Sequence, residues 1–89
     1  MVHNIVIGIP LVPAWKLLSD SEEDFENFDK RDTLFTDERF LPAALVEAGV
    51  SNSRSEIRRN RPDLCVRLDK PDCFNIKIGK KFLYVVVGE

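Results

Sequence analysis

The chain has 89 residues and carries 13 basic side chains against 15 acidic ones, for a formal net charge of −2. A chain of this length supports one small hydrophobic core and one domain. Its content of 44% hydrophobic and 31% charged residues is that of a folded globular protein and excludes a disordered chain.

The sequence points to a reducing compartment, cytoplasmic or mitochondrial, without a membrane segment. No apolar run approaches the roughly 20 residues that cross a bilayer, and the first residues lack the features of a signal peptide. The chain has two cysteines, Cys65 and Cys73, whereas small secreted domains usually carry several disulfides. These cysteines are not closely spaced and His3 is the only histidine, so we expect free thiols, no metal and no cofactor.

Charge is unevenly distributed along the chain. Residues 1–40 hold four basic and nine acidic side chains, whereas residues 41–89 hold nine basic and six acidic ones. Such asymmetry is typical of an acidic extension attached to a basic binding surface. We therefore divide the chain into an acidic N-terminal extension, residues 1–39, and a basic domain, residues 40–89.

The acidic extension contains one strand signal and one helix signal. The segment Asn4–Ile9 is rich in β-branched residues and stops at a proline, which predicts a short strand at the edge of a sheet. Ser19 or Ser21 can cap a helix whose first turn is acidic. Because Phe25 and Phe28 are among its few apolar anchors, we expect a loosely attached helix or an acidic linker and not a core element.

Two short helices are predicted in the basic domain. Pro42 suits the first turn of a helix and Gly49 suits the residue that ends it. Ser53 and Glu56 have the spacing of a capping box, which predicts the start of a second helix. Pro62 ends that helix within about two turns.

The remainder of the chain has the period-two hydrophobicity of strands. Residues 64–68 and 74–78 alternate, and residues 82–87 are apolar on both faces. Gly79 can adopt the positive φ of a turn between the last two. We predict three strands and an α+β fold in which two short helices pack on a small, mostly antiparallel sheet.

Four arginines fall within twelve residues of the second helix region. Arg54, Arg58 and Arg61 have the spacing of one helix face, and Arg59 lies beside them. Like charges at this spacing destabilise a helix by a few tenths of a kcal/mol per pair, so an anionic partner best explains them. Arginine offers planar bidentate bonds to phosphate and stacks on bases, which favours nucleic acid.

A second basic group is expected beside that helix. Lys80 and Lys81 lie at the predicted hairpin turn, and Lys77 and Arg67 lie on the outward faces of the neighbouring strands. The alternative is a solvated helix face, with its charge balanced in part by Glu56 and Asp63. The two basic groups together favour nucleic-acid binding.

The stretch "LVEAGVSNSRSEIRR" resembles the opening of the S-four-type RNA-binding domain, the alpha-L motif. The ending "IGKKFLYVVV" is similar to the final hairpin of that domain in bacterial and mitochondrial tyrosyl-tRNA synthetases. The resemblance covers residues 40–89. The middle departs from the family pattern, because "RRNRPDLCVRLDKPD" stands where the second helix usually continues and where an Asn-Gly turn usually follows.

The resemblance implies an RNA-binding module that contacts structured RNA: tRNA first, with ribosomal or intron RNA as alternatives. We expect the chain to be monomeric in isolation. The positions that match the family motif are Ser53, Arg54, Ser55, Arg58, Arg59, Lys80 and Lys81. The helix face adds Asn60 and Arg61, and the strands add Arg67 and Lys77. The chain would then be the tRNA-binding C-terminal domain of a tyrosyl-tRNA synthetase.

We assign no catalytic residue. The sequence has no pattern of a nucleophile with its general base, no glycine-rich phosphate loop and no metal-ligand cluster. The synthetase signatures of the separate catalytic domain are absent as well. We therefore expect that the chain is not an enzyme by itself. The alternative function is a degenerate relative that acts as a protein-interaction module, using its acidic extension or an edge strand near Ile5 to Ile9.

Overall fold

The computed structural model describes residues 2–89 as an ordered series of short helices and strands. The strands are β1 (Asn4–Ile7), β2 (Thr33–Thr36), β3 (Asp72–Ile78) and β4 (Lys81–Val87). The helices are α1 (Ala14–Leu18), α2 (Glu22–Asp24), α3 (Leu41–Glu47) and α4 (Arg54–Asn60). One π-helical turn (Phe25–Asp29) and two 3₁₀ turns (Lys30–Asp32 and Pro62–Leu64) complete the set.

The four strands form one sheet in the order β2-β1-β4-β3. Strand β1 runs parallel to both β2 and β4, and β3 pairs with β4 in an antiparallel hairpin. The predicted α+β class, with two short helices on a sheet, is confirmed, although the sheet is mixed and not mostly antiparallel. The predicted edge position of the first strand is wrong, because β1 has a hydrogen-bonded neighbour on each side.

The main core lies between one face of this sheet and helices α3 and α4. Alternation along the strands directs one set of side chains toward the helices. The strands contribute Ile5, Ile7, Ile76, Leu83, Val85 and Val87, and the helical segments contribute Leu41, Ala44, Leu45, Ile57 and Leu64. Both sides of the expected boundary at residues 39 and 40 therefore supply the same core.

The acidic segment, residues 20–38, and residues 11–17 before it cover part of the opposite face of the sheet. Val6 and Val86 are aligned on β1 and β4, are buried, and point to this face. Phe25 is buried as well, and its ring meets the ring of Phe35 edge-on at 6.4 Å between centroids. The expectation that this segment stays outside the core is wrong for Phe25. Its side chain is buried against the face of β1 and β2 that points away from α3 and α4.

Helices α3 and α4 follow the predicted local signals. Pro42 lies in the first turn of α3, and Gly49 just beyond it adopts a φ of +77°. The Ser53 hydroxyl accepts a hydrogen bond from the backbone N–H of Glu56 at 3.1 Å, which caps α4. Gly79 adopts a φ of +62° in the β3-β4 turn. These predictions are confirmed. Each could be made from the sequence because it depends on residues close together in the chain.

The strand predicted over residues 64–68 does not form. Pro62 begins a 3₁₀ turn that directs Leu64 into the core, and a single bridge between Phe40 and Arg67 is the remaining strand-like contact. The Arg39 guanidinium then donates to the carbonyl oxygen of Leu68 at 3.0 Å and to that of Gly88 at 3.3 Å. Two backbone hydrogen bonds hold this segment together with the Arg39 side chain: Leu41 N–H donates to the Val66 carbonyl at 3.0 Å, and Leu68 N–H donates to the Arg39 carbonyl at 2.7 Å.

The position of β1 predicts opposite effects for two neighbouring isoleucines. Ile5 is fully buried between sheet and helices, whereas Ile9, just past the strand, is 74% exposed. Ile5→Ala is expected to lower the free energy of unfolding by about 2–5 kcal/mol, because it leaves a cavity. Ile9→Ala is expected to change it by less than about 0.5 kcal/mol. Urea unfolding of both variants checks this, and equal small effects would contradict an interior β1.

Candidate nucleic-acid interface

Three arginines of α4 lie exposed on one short helix. Ile57 is buried against α3 and the sheet, and this anchor leaves Arg54, Arg58 and Arg59 in solvent. Within residues 2–89, none of the three forms an ion pair with a carboxylate. The arrangement places three positive charges without an ion-pair partner on α4, which also carries one carboxylate, Glu56.

Arg61 differs from these three, because it lies just beyond α4 and is already engaged. Its Nε and Nη2 atoms donate to the two carboxylate oxygens of Asp63, each at 3.1 Å, and Nη1 donates to the carbonyl oxygen of Lys77. The hydrogen bond to Arg61 holds the pKa of the Asp63 carboxyl below its ordinary value, and the same bond raises the pKa of Arg61. The side chain of Arg61 thus joins the end of α4 to β3.

The β3-β4 hairpin brings lysines to the end of α4. Lys77, Lys80 and Lys81 are all exposed around the turn at Gly79. The contact from Arg61 to the Lys77 carbonyl places this turn beside the C-terminal end of the arginine helix. The Lys77 side chain lies on the sheet face away from α4, because its neighbours Ile76 and Ile78 pack on the helix side. We call the exposed residues Arg54, Arg58, Arg59, Lys80 and Lys81 the basic surface.

The other predicted site residues have different surroundings. Ser53 uses its hydroxyl to cap α4, and Ser55 and Asn60 are exposed on that helix. Arg67 precedes β3 and pairs with Asp69 at 2.8 Å, in a shallow pocket that also includes Asp72. Because Asp72 begins β3 and the lysine turn follows its other end, the structure does not bring Arg67 to the basic surface.

Sequence reasoning missed Phe82. This residue lies on β4 directly opposite Lys77 on β3, and its side chain is 66% exposed. The Lys77 Nζ atom lies 5.3 Å from the centre of the Phe82 ring. The apolar run 82–87 suggested burial on both faces. A two-residue turn after Ile78 sets the register of the hairpin. That turn length could have predicted that Phe82 pairs with Lys77.

Other kinds of site have little support in the described part of the chain. Among residues 2–89, no helix is long and apolar enough to span a bilayer, and no three His, Cys, Asp or Glu side chains converge as metal ligands. Cys65 and Cys73 are free thiols, half-buried and exposed respectively. A pocket lined by Leu11, Val12, Leu17 and Val86 is mostly apolar, so the basic surface is the charged feature from which a function can be inferred.

Comparison with known proteins adds no relative to this picture. No protein-family profile, curated protein or solved structure matches the chain. The geometry and charge of the chain's own residues are therefore the basis for assigning a function.

Proposed function

We propose that the chain is an RNA-binding module that contacts structured RNA through the basic surface. The observation that carries the proposal is the set Arg54, Arg58 and Arg59, exposed on α4 without a carboxylate partner in residues 2–89. The carboxylate on α4, Glu56, pairs with none of these arginines among residues 2–89, although the chain has a net charge of −2. Phosphate groups of a partner would supply the missing negative charge.

The separation of charge within the fold supports a polyanionic partner. The chain's acidic residues concentrate in residues 20–38, and one of them, Glu26, pairs with Lys30 at 3.2 Å. The arginines and the hairpin lysines instead lie in the C-terminal half of the chain. The hydrogen bond from Arg61 to the Lys77 carbonyl links α4 to the hairpin. Positive charge grouped in this way attracts a phosphate backbone and raises association rates.

The resemblance to the S-four-type domain favours tRNA as the RNA. In that case the chain is the tRNA-binding C-terminal domain of a tyrosyl-tRNA synthetase, and aminoacylation belongs to a separate catalytic domain. The basic surface offers phosphate contacts and shape recognition, which suit folded RNA better than a single base sequence.

The test is a titration of the isotope-labelled chain with a tRNA that has a long variable arm. Binding is monitored through amide chemical shifts at two salt concentrations. We expect shifts in residues 54–61 and 77–81, and an affinity that falls steeply as salt rises, because bound counterions are released from the phosphates. An unrelated RNA duplex, titrated in parallel, measures specificity.

A folded sample without shifts at low salt would contradict the proposal. An affinity for the RNA that does not change with salt would contradict phosphate contacts at the basic surface, because such contacts release counterions. The strand edge suggested for the protein-interaction alternative is not available, since β1 is paired on both sides.

A further inference from the structure

The hairpin presents a second recognition surface on the sheet face opposite α3 and α4. Phe82 and Tyr84 are two residues apart on β4, so their side chains lie on the same face. Lys77 is aligned with Phe82, and Asn75 is aligned with Tyr84. Two aromatic rings, a lysine and an amide therefore occupy neighbouring positions on this part of the sheet.

This part of the face is open, in contrast to the rest. Toward β1 and β2, the same face is covered where Val6, Val86 and Phe25 are buried. Near the hairpin turn, Phe82 is 66% exposed, Lys77 and Asn75 are exposed, and Tyr84 is half-buried. Leu11, Val12 and Leu17 lie beside Val86, and Phe25 packs on Phe35 of β2, so this cover stops short of the turn.

The charge around Phe82 indicates what could occupy this face. The Lys77 Nζ atom lies over the Phe82 ring at 5.3 Å, and Lys80 and Lys81 follow in the turn. An aromatic ring bordered by cations suits a ligand that is flat and apolar on its faces and negatively charged at its edge. A nucleotide has this combination, since its base stacks on aromatic rings while its phosphate pairs with lysine.

We propose that Phe82 is a stacking platform for an unpaired nucleobase, with Lys77 contacting the adjoining phosphate. This inference rests on the proposed RNA-binding function and names the class of RNA: a structured RNA with an unstacked nucleotide at a loop, bulge or single-stranded end. The paired part lies along α4, and the unpaired nucleotide passes the hairpin turn to the open face. The Arg61 contact to Lys77 keeps these two surfaces in a fixed relation.

The test compares two RNAs that differ in a single feature. One is a blunt two-stranded RNA duplex, and the other is the same duplex with four unpaired adenosines at one 3′ end. At one low salt concentration, fluorescence anisotropy is expected to show about tenfold tighter binding of the RNA with the overhang, because stacking on an aromatic side chain adds affinity per base. Phe82→Leu is expected to abolish that preference and leave duplex binding unchanged, whereas Phe82→Tyr retains it.

Phe28→Leu is the matched control, because Phe28 is a similarly exposed phenylalanine, 57% accessible, within the acidic segment. It should retain the preference for the overhang, and amide spectra establish that every variant is folded. Equal affinity of the wild-type chain for both RNAs, a preference that survives Phe82→Leu, or an equal loss for both RNAs would overturn the platform and leave the proposed function standing. Failure of the wild-type chain to bind either RNA would overturn both.

Discussion

A chain that begins at residue 40 is expected not to fold by itself, although it contains every residue that resembles the RNA-binding domain. Removal of residues 1–39 deletes β1 and β2 and exposes the edge of β4. Ile5, Val6 and Ile7 are each fully buried. Burial of such a side chain contributes about 1.5–3 kcal/mol, so their combined loss is comparable to the whole stability of a small domain.

Circular dichroism and the dispersion of amide signals measure this result directly. We expect a disordered spectrum for residues 40–89 alone, and recovery of dispersion when residues 1–39 are added as a separate peptide. A cooperative unfolding transition for the shorter chain would contradict the expectation. It would show instead that the domain boundary predicted at residues 39 and 40 marks an autonomous unit.

The double variant Arg58→Ala/Arg59→Ala is expected to have the largest effect on RNA binding. Both side chains are exposed on α4 without a carboxylate partner in residues 2–89, so their removal costs the fold little. If each arginine contacts a phosphate, affinity at low salt should fall about tenfold or more. The slope of log affinity against log salt should become shallower by roughly one per lost contact.

Lys30→Ala/Arg31→Ala is the control, because it removes the same charge from an exposed pair in the acidic segment. Lys30 pairs there with Glu26, and an exposed ion pair of this kind contributes about 0–1 kcal/mol to stability. Its affinity and salt slope should stay close to those of the wild-type chain. Equal losses in the two double variants would mean that total charge governs binding, and an unchanged affinity of the arginine variant would exclude α4 from the interface.

The elements that sequence reasoning placed correctly are those determined by neighbours in the chain. A serine that caps α4, a proline in the first turn of α3 and glycines with positive φ act within a few residues. Each of these residues can therefore be recognised from the sequence within a few positions of its place in the structure. The start and end of α3 and α4, and the β3-β4 hairpin, could be predicted for this reason.

The errors concern contacts between distant segments. The β-branched run of β1 is compatible with an edge or an interior strand, and its pairing with β4 depends on residues far along the chain. Residues 64–68 alternate like a strand, yet they follow a 3₁₀ turn at Pro62–Leu64 and form a single bridge, from Arg67 to Phe40. Periodicity does not distinguish these outcomes, because it records which side chains are buried and not what buries them.

The candidate site was predictable in composition and less so in geometry. The exposed positions of Arg54, Arg58 and Arg59 follow from the helix frame set by Ser53 and Ile57. Arg61 shares their spacing, but the helix ends before it, and its side chain pairs with Asp63. Residue type alone does not reveal which arginines are free, because that depends on the end of the helix and on a nearby carboxylate.

The parallel pairing of β1 with β4 has a consequence for the order in which the molecule assembles. Asn4 is aligned with Tyr84, so the first and last strands pair although almost the whole length of the chain separates them in sequence. Closure of so long a loop loses more conformational entropy than formation of the α3-α4 pair or the β3-β4 hairpin, and contacts of high sequence separation slow folding. We expect the helices and hairpin to form early and the central pair of strands to join in a later, rate-limiting step.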